Sequence, residues 1–480
     1  MGKLNKVLRG LIYALPMALI FSYYPVMTLG ADKTMNFELS VPLLWIVIFD
    51  AVALAVLVRE KLIMDLVRKW QWLVFPVFVT LTLIWSVNLV RGILTVGVMW
   101  LLYFAVFAMV KLGDSLSDES SKKTFWKWFF GASILACVWC AVQCILDVVG
   151  VPREGSLLCA GCTSLSFGFP HPNGFAIEPQ FMGNLLLAPV IITAWMLVEK
   201  NYSTHGLSFK FLIFCFLIFV ATLFLTFSRG AIYAFVVAMM FLTALMIARA
   251  REKERGAVGK RAGMAWGLTA LMFLFTLNLQ GILTEVGPTN DTYYDGVAKA
   301  LNHLSLGVID IRQEKNEEKE PDFSEETQAL QLSVEEKKGN ENEAIFDGYV
   351  EESTNVRMTL THDALLVWSQ DLKTVLFGVG IGGAGQALFD AGLTESPKEI
   401  VQNEYASLLL EIGLVGVICA IVLLVMVIKM VIKNPGATMI LTLGTAYGVS
   451  LLFFSGLANA LQIYLTLAVF YMVLRKKLVS

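Results

Sequence analysis

Charged residues are scarce in this sequence, and histidines are scarcer still. Only 16% of the 480 residues are Asp, Glu, Lys or Arg, and the four histidines are scattered along the chain. They are too few to suggest a metal cluster, and the net charge of -2 gives no indication of nucleic-acid binding. Apolar residues make up 57% of the chain, with a mean hydropathy of +0.68. No soluble domain needs so much apolar surface, so the composition predicts an integral membrane protein.

Apolar segments long enough to cross a bilayer recur along almost the whole chain. A hydrocarbon core of roughly 30 Å requires about 20 apolar residues per helix. We therefore predict an all-α integral membrane protein with about twelve transmembrane helices. They lie near residues 10–29, 41–58, 72–88, 92–110, 125–148, 177–198, 211–227, 231–248, 263–283, 403–428, 438–457 and 460–474.

The distribution of lysine and arginine gives the orientation. With the N-terminus in the cytoplasm, 24 of the 37 basic residues fall in inner segments, and every inner loop contains some. Because short basic loops are retained in the cytoplasm, we predict a multi-pass protein of the plasma membrane with both termini cytoplasmic.

One long segment interrupts the apolar pattern and divides the chain into three parts. We predict helices 1 to 9 over residues 1–283, an extracytoplasmic loop over 284–402, and helices 10 to 12 over 403–480. Between Glu285 and Glu352 the loop has 18 acidic residues against 6 basic ones, which is typical of a solvated insertion.

A glycine run follows in the same loop, within "VLFGVGIGGAGQALFD" at residues 375–390. It fits the spacing GxGxxG, but it is predicted to lie outside the cell, where no pool of nicotinamide dinucleotide exists. We therefore interpret Gly380, Gly382 and Gly383 as a tight backbone turn that approaches a bulky ligand. Their amides are candidates for binding phosphate or sugar oxygens.

Two arginines are candidates for an anion site. Arg229 follows Ser228 in "FLTFSRGAIYAF", a tight hairpin between two apolar helices. Its guanidinium and the N-terminal amides of the next helix are suited to phosphate, although a snorkelling arginine is the alternative. Arg357 lies in "STNVRMTLTHDALLVWSQD", where periodicity alone favours an exposed surface arginine.

Two further stretches place polar groups at the predicted outer surface. "FGFPHPNGFAIEPQF" contains His171 and Glu178, and "EIVQNEYASLLLEIGLVGV" contains Asn403, Glu404 and Glu411. The two glutamates are seven residues apart and therefore share one helix face. A role inside the bundle is favoured for Glu411, with a structural hydrogen bond as the alternative to a catalytic one.

Four motifs, in order, resemble the family of bacterial O-antigen ligases and O-antigen polymerases. They are "SRGA" at 228–231, "STNVR" at 353–357, "FGVGIGG" at 377–383 and "QNEYASLLLEIGLVG" at 402–416. The "EP" at 178–179 is similar to a weaker signature of the same family.

The resemblance implies transfer of an oligosaccharide from undecaprenyl pyrophosphate to a hydroxyl of a glycan or lipid acceptor, on the outer face of the membrane. By analogy, Arg229 and Arg357 hold the pyrophosphate, with no cofactor and no metal. It also implies the lipid bilayer, a chain-length regulator and a flippase as partners, and no nucleic acid.

One position departs from the family pattern. Ligases of the family resemble each other in a histidine at the place of Gln402, and glutamine cannot act as a general base. Either another residue takes the proton from the acceptor hydroxyl, or the arginine pair makes departure of the diphosphate easy enough without a base. The candidate bases are His171, Glu178, His362 and Glu404. The departure favours a polymerase or a divergent transferase.

Two other functional classes fit parts of the pattern. A secondary transporter also has about twelve helices, but no internal repeat is evident between the halves. A non-catalytic scaffold of the cell envelope is consistent with Gln402. Cys159 and Cys162 lie in the predicted outer loop. They either form a disulfide or are simply two small residues of that loop.

Overall fold

The computed structural model describes residues 2–22, 25–29, 37–62, 64–113, 118–149, 171–176, 178–287, 291–305, 309, 352–457 and 460–475. Cys159 and Cys162 lie outside these residues, as does most of the acidic part of the predicted loop. The described part of the chain is almost entirely helical.

Eleven helices precede the predicted loop. They are α1 (Gly2–Ile20), α2 (Val41–Arg59), α3 (Met64–Arg68), α4 (Val74–Leu81), α5 (Leu89–Leu112), α6 (Glu119–Val148), α7 (Pro179–Glu199), α8 (Phe209–Leu225), α9 (Arg229–Arg249), α10 (Glu252–Val286) and α11 (Tyr293–Leu304). Short 3-10 turns at Trp70–Leu73, Thr82–Trp85 and Tyr202–His205 flank α4 and link α7 to α8.

Six more helices follow. They are α12 (Glu352–Trp368), α13 (Leu372–Phe377), α14 (Ala384–Asp390), α15 (Glu404–Ile432), α16 (Ala437–Ser450) and α17 (Leu461–Leu474). Between α1 and α2, strands β1 (Pro25–Leu29) and β2 (Phe37–Ser40) form a two-stranded antiparallel sheet that the sequence analysis does not predict.

Every one of the twelve predicted membrane segments overlaps a helix. Seven helices in the described part of the chain are long and apolar enough to cross a membrane: α2, α5, α6, α7, α9, α10 and α15. The apolar helices around residues 70–85, 209–225, 437–450 and 461–474 are shorter. The helical membrane fold is therefore confirmed, while twelve spans and the division at residues 283 and 402 stay predictions.

Helix α7 lies at the centre of the bundle. In its most apolar window 89% of the residues are buried inside the protein, against 11% for α15. Helices α6, α8, α9, α10 and α16 all contact α7. The N-terminal end of α7 is thus held on several sides, which fixes the position of any side chain in its first turn.

Helix α15 is broken at Gly413, which has φ 61 and ψ −175. The carbonyls of Leu410 and Glu411, which a continuous helix would bond four residues further on, accept hydrogen bonds from Val379 and Gly380, both at 2.9 Å. The glycine run therefore supplies the amides that bond these carbonyls beside the break. This satisfies backbone groups that would otherwise be costly to bury.

A third segment completes this junction from the other side. The amide of Ile381 donates to Thr82 Oγ1 at 3.1 Å, and Val87 donates its amide to the carbonyl of Val379 at 3.2 Å. Ser86 Oγ donates to the carbonyl of Ile381 at 3.0 Å. We call the meeting of residues 82–92, 376–384 and 410–413 the backbone junction.

The backbone junction leaves no room for a side chain at Gly380. This residue has φ +92, and a Cβ added to it would lie 2.3 Å from the Cα of Ser86. Gly392 also has a positive φ of +72, but a Cβ there meets nothing within 4 Å. The two glycines share the same backbone constraint and differ in packing.

We expect Gly380→Ala to destabilise the protein much more than Gly392→Ala. The change at Gly392 adds only the cost of a left-handed alanine, about 1 kcal/mol, whereas the change at Gly380 also pushes the junction apart. Thermal unfolding of both variants in detergent measures the difference. Equal melting temperatures would show that the junction does not depend on this close approach.

Candidate functional site

Arg357 binds two glutamines from distant parts of the chain. Its Nε donates to Gln402 Oε1 at 2.6 Å, and its Nη2 donates to Gln180 Oε1 at 2.9 Å. Arg357 lies near the start of α12, Gln402 just before α15, and Gln180 in the first turn of α7. We call these three residues the arginine clamp. It places Arg357 against the helical bundle, where periodicity alone favoured an isolated surface arginine.

Phe453 connects the arginine clamp to the start of α9. Gln180 Nε2 donates to the carbonyl of Phe453. On the other side, a Cβ added to Gly230 would lie 2.9 Å from Phe453 Cβ, so the first turn of α9 rests on this side chain. Phe453 therefore contacts both the residue after Arg229 and the glutamine that binds Arg357, which brings the two predicted arginines to one region.

Arg229 is the first residue of α9 and is only 8% exposed. Ser228 occupies the N-cap position without making a side-chain cap, and its buried Oγ has no hydrogen-bond partner among the described residues. Gly183 of α7 packs against it, since a Cβ there would lie 3.1 Å from Ser228 Oγ. The first turn of a 21-residue helix thus combines N-terminal amides, a hydroxyl without a partner among the described residues, and a guanidinium.

The turn before Arg229 has an unusual backbone that α11 holds in place. Phe227 has φ 47, a left-handed value that is costly for an aromatic residue. His303 Nε2 lies 3.1 Å from the Phe227 carbonyl. Tyr233 of α9 donates its hydroxyl to the carbonyl of Leu304 at 2.7 Å. Two contacts from one short helix therefore fix the direction in which α9 starts.

Glu178 and His171 precede α7 in different environments. Glu178 occupies the N-cap position of α7, is exposed and makes no side-chain cap. His171 is buried, in a segment that α6 holds: Gln143 Nε2 donates to Asn173 Oδ1, and Gln143 Oε1 accepts from the Gly174 amide, both at 2.8 Å. Of the two, Glu178 is the one accessible to a substrate.

The polar residues at the start of α15 have structural partners. Asn403 Oδ1 accepts from the amides of Tyr405 at 3.1 Å and Ala406 at 3.2 Å, which makes it the N-cap of α15. Glu404 is buried and its Oε2 accepts from the Gly456 amide at 2.7 Å. Asn403 Oδ1 and Glu404 Oε2 are therefore already used within the protein.

The last carboxylate of the predicted set also binds backbone. Glu411 Oε1 accepts from the Ala384 amide at 3.3 Å, at the start of α14. Gly380 and Gly382 pack directly on neighbouring backbone, and Gly383 donates its amide to the Gly380 carbonyl at 3.1 Å. The structure thus explains these glycines by the backbone junction, and their contact with a substrate stays a prediction.

His362 is turned away from the arginine clamp. It follows Arg357 by five residues on α12, which places it about 140° around the helix axis. It is exposed, and its Nδ1 lies 3.5 Å from Asp363 Oδ1. Within the described ranges no group of three or more His, Cys, Asp or Glu is arranged to hold a metal ion.

Sequence reasoning did not find Gln180, Phe453 or His303. Gln180 is a neutral amide, and Phe453 is one apolar residue among many, so neither stands out in the sequence. Their roles depend on contacts between residues more than 170 positions apart. His303 lies in a capped amphipathic helix, marked by the Thr292 and Asp295 capping box. That box predicts a helix start, although it does not predict the partner of His303.

Fold and site together define a multi-pass helical membrane protein in which Gln180 and Phe453 link Arg357 to the first turn of α9, where Arg229 lies. Residues 214–421 match the family model described as O-Antigen ligase. This match, over less than half of the chain, supports its resemblance to the O-antigen ligase and O-antigen polymerase family. No curated protein and no solved structure matches the chain in the corresponding comparisons.

We expect Asn403→Asp to keep stability and activity, because aspartate also accepts the two amides at the start of α15. Asn403→Ala removes the cap and lowers the free energy of unfolding by about 1 kcal/mol. Thermal unfolding and a glycan-transfer assay measure the two effects side by side. A stable Asn403→Asp variant without activity would assign Asn403 a catalytic role beyond capping.

Proposed function

We propose that this protein is a polymerase or ligase of surface polysaccharide. It transfers a glycan from an undecaprenyl pyrophosphate donor to an acceptor hydroxyl on the outer face of the plasma membrane. The observation that carries the proposal is the series of contacts from Arg357 through Gln180 and Phe453 to Gly230, the residue after Arg229. It occurs in a chain whose residues 214–421 match the O-Antigen ligase model.

In this proposal, the diphosphate binds between the two arginines. Guanidinium groups bind phosphate through paired N–H donors, and the N-terminal amides of α9 add the positive end of a helix dipole. The unsatisfied Ser228 Oγ at the same helix end is a further hydrogen-bond donor. Together these groups stabilise the negative charge that grows on the departing oxygen.

The transfer step exchanges one bond for another at the anomeric carbon of the donor sugar. The acceptor oxygen forms a bond to that carbon, and the bond from the carbon to the diphosphate oxygen breaks, with its electron pair staying on the diphosphate. Glu178 takes the proton from the acceptor hydroxyl. It is the exposed carboxylate two residues from Gln180, while Glu404 and Glu411 already accept backbone amides.

A polymerase is favoured over a lipopolysaccharide ligase because Gln402 occupies the place where ligases of the family carry histidine. The acceptor hydroxyl then belongs to a glycan. A chain-length regulator and a flippase are the partners that such a reaction requires, because one sets when extension stops and the other delivers the lipid-linked donor.

Arg229→Ala and Arg357→Ala are each expected to reduce transfer by about 100-fold or more, since each removes a charge from the departing diphosphate. Lys373→Ala, an exposed basic residue of the same outer segment, is the matched control and should stay active. The readout is the length ladder of surface glycan in cells with equal amounts of membrane-inserted protein.

A polymerase defect leaves single repeat units on their final acceptor, whereas a ligase defect leaves long polymer on the lipid carrier. Normal length ladders in both arginine variants would contradict the proposed function.

Glu178→Gln is expected to lower kcat by about 100-fold or more with little change in the donor KM, because the amide keeps the shape but cannot take a proton. Glu178→Asp should retain more activity than Glu178→Gln. Transfer to a soluble acceptor glycan by purified protein measures both. Full activity of Glu178→Gln would exclude this residue as the proton acceptor.

A further inference from the structure

Gln402 is held by Arg357 in one orientation. Arginine can only donate hydrogen bonds, so the atom of Gln402 that lies 2.6 Å from Arg357 Nε must be the amide oxygen. The NH₂ group of the same amide therefore points away from Arg357. Gln402 is only partly buried, so its side chain is in part accessible to a ligand.

Gln180 provides the contrast within the same clamp. Both ends of its side chain are occupied, since Oε1 accepts from Arg357 and Nε2 donates to the Phe453 carbonyl. The NH₂ group of Gln402 has no such partner among the described residues. The two glutamines thus hold Arg357 alike, but Gln402 keeps both N–H donors of its amide for a ligand, whereas Gln180 has already used one on Phe453.

We propose that Gln402 donates a hydrogen bond from Nε2 to an oxygen of the diphosphate in the lipid-linked donor. The oxygen and nitrogen of one amide are roughly 2.2 Å apart by standard bond lengths. An anion that binds Arg357 on its accessible side therefore comes within reach of Gln402 Nε2. This inference rests on the proposed function, because it assumes that the arginines bind the diphosphate.

The chemistry available at position 402 therefore differs from that of the ligases that carry histidine there. A histidine there can take a proton from the acceptor, whereas Gln402 adds a neutral donor to the leaving group. Gln402 then stabilises charge on the diphosphate together with Arg357 and does not move a proton. Gln402 is thus a specificity-determining group for a phosphate ester. A carboxylate at this position would repel the same negatively charged ligand.

Gln402→Glu separates this role from simple positioning of Arg357. Glutamate keeps an oxygen for Arg357 but loses the donor and turns a negative oxygen towards the diphosphate. If Gln402 only positioned Arg357 and lay out of reach of the diphosphate, Gln402→Glu would bind diphosphate nearly as well as the wild type, because its oxygen still accepts from Arg357. Gln402→His keeps a ring N–H, so it should lie closer to the wild type than Gln402→Glu.

The experiment measures binding of inorganic diphosphate to the purified full-length protein, through the rise of the melting temperature with ligand concentration. Gln402→Glu is expected to bind about 10-fold more weakly or worse, as for the loss of a hydrogen bond to a charged group. Gln370→Glu, which adds the same charge at an exposed position after α12, should bind like the wild type.

Arg357→Ala distinguishes failure of the donor role of Gln402 from failure of the diphosphate site itself. If Arg357→Ala loses binding while Gln402→Glu binds like the wild type, the donor role of Gln402 is overturned and the arginine site stands. If Arg357→Ala binds like the wild type, the diphosphate site itself fails. Should Gln402→Glu not fold, Gln402→Met replaces it, with the same 10-fold loss expected and wild-type binding as the contradicting result.

Discussion

The arrangement of the candidate site depends on one constraint, namely that the guanidinium of Arg357 is bound by amide oxygens from both the central helix α7 and the segment before α15. A long flexible side chain becomes a fixed group only when several donors have partners. Gln180 extends this fixation to Phe453, and Phe453 to the first turn of α9. The position of Arg229 relative to Arg357 is therefore set by packing rather than by either arginine alone.

The helical segments could be predicted from the sequence because hydropathy reports them directly. All twelve predicted segments overlap helices, although several helices begin or end many residues away from the prediction, such as α10, which extends back to Glu252. The break of α15 at Gly413 could not be predicted, because "EIGLVGV" is as apolar and helix-like after the break as before it. A helix is interrupted there because a separate segment replaces its hydrogen bonds.

The candidate site was predicted in part. Charged residues near the membrane stand out in the sequence, so Arg229 and Arg357 were found. Gln180 was missed, because a neutral amide gives no such signal and its role exists only through two distant partners. Asn403 directly before Glu404 is a recognisable helix start in the sequence. The structure shows Asn403 as the N-cap of α15, so the local sequence signal accounts for its observed contacts better than a catalytic role does.

The backbone junction has a consequence for how the protein is made. It joins residues 82–92 to residues 376–384 and 410–413, and Phe453 follows later still. During synthesis, the early helices enter the membrane long before these partners leave the ribosome. A nascent chain that stops before α16 therefore contains every charged group of the site, the arginine clamp and the backbone junction, but lacks Phe453, which links the clamp to the first turn of α9.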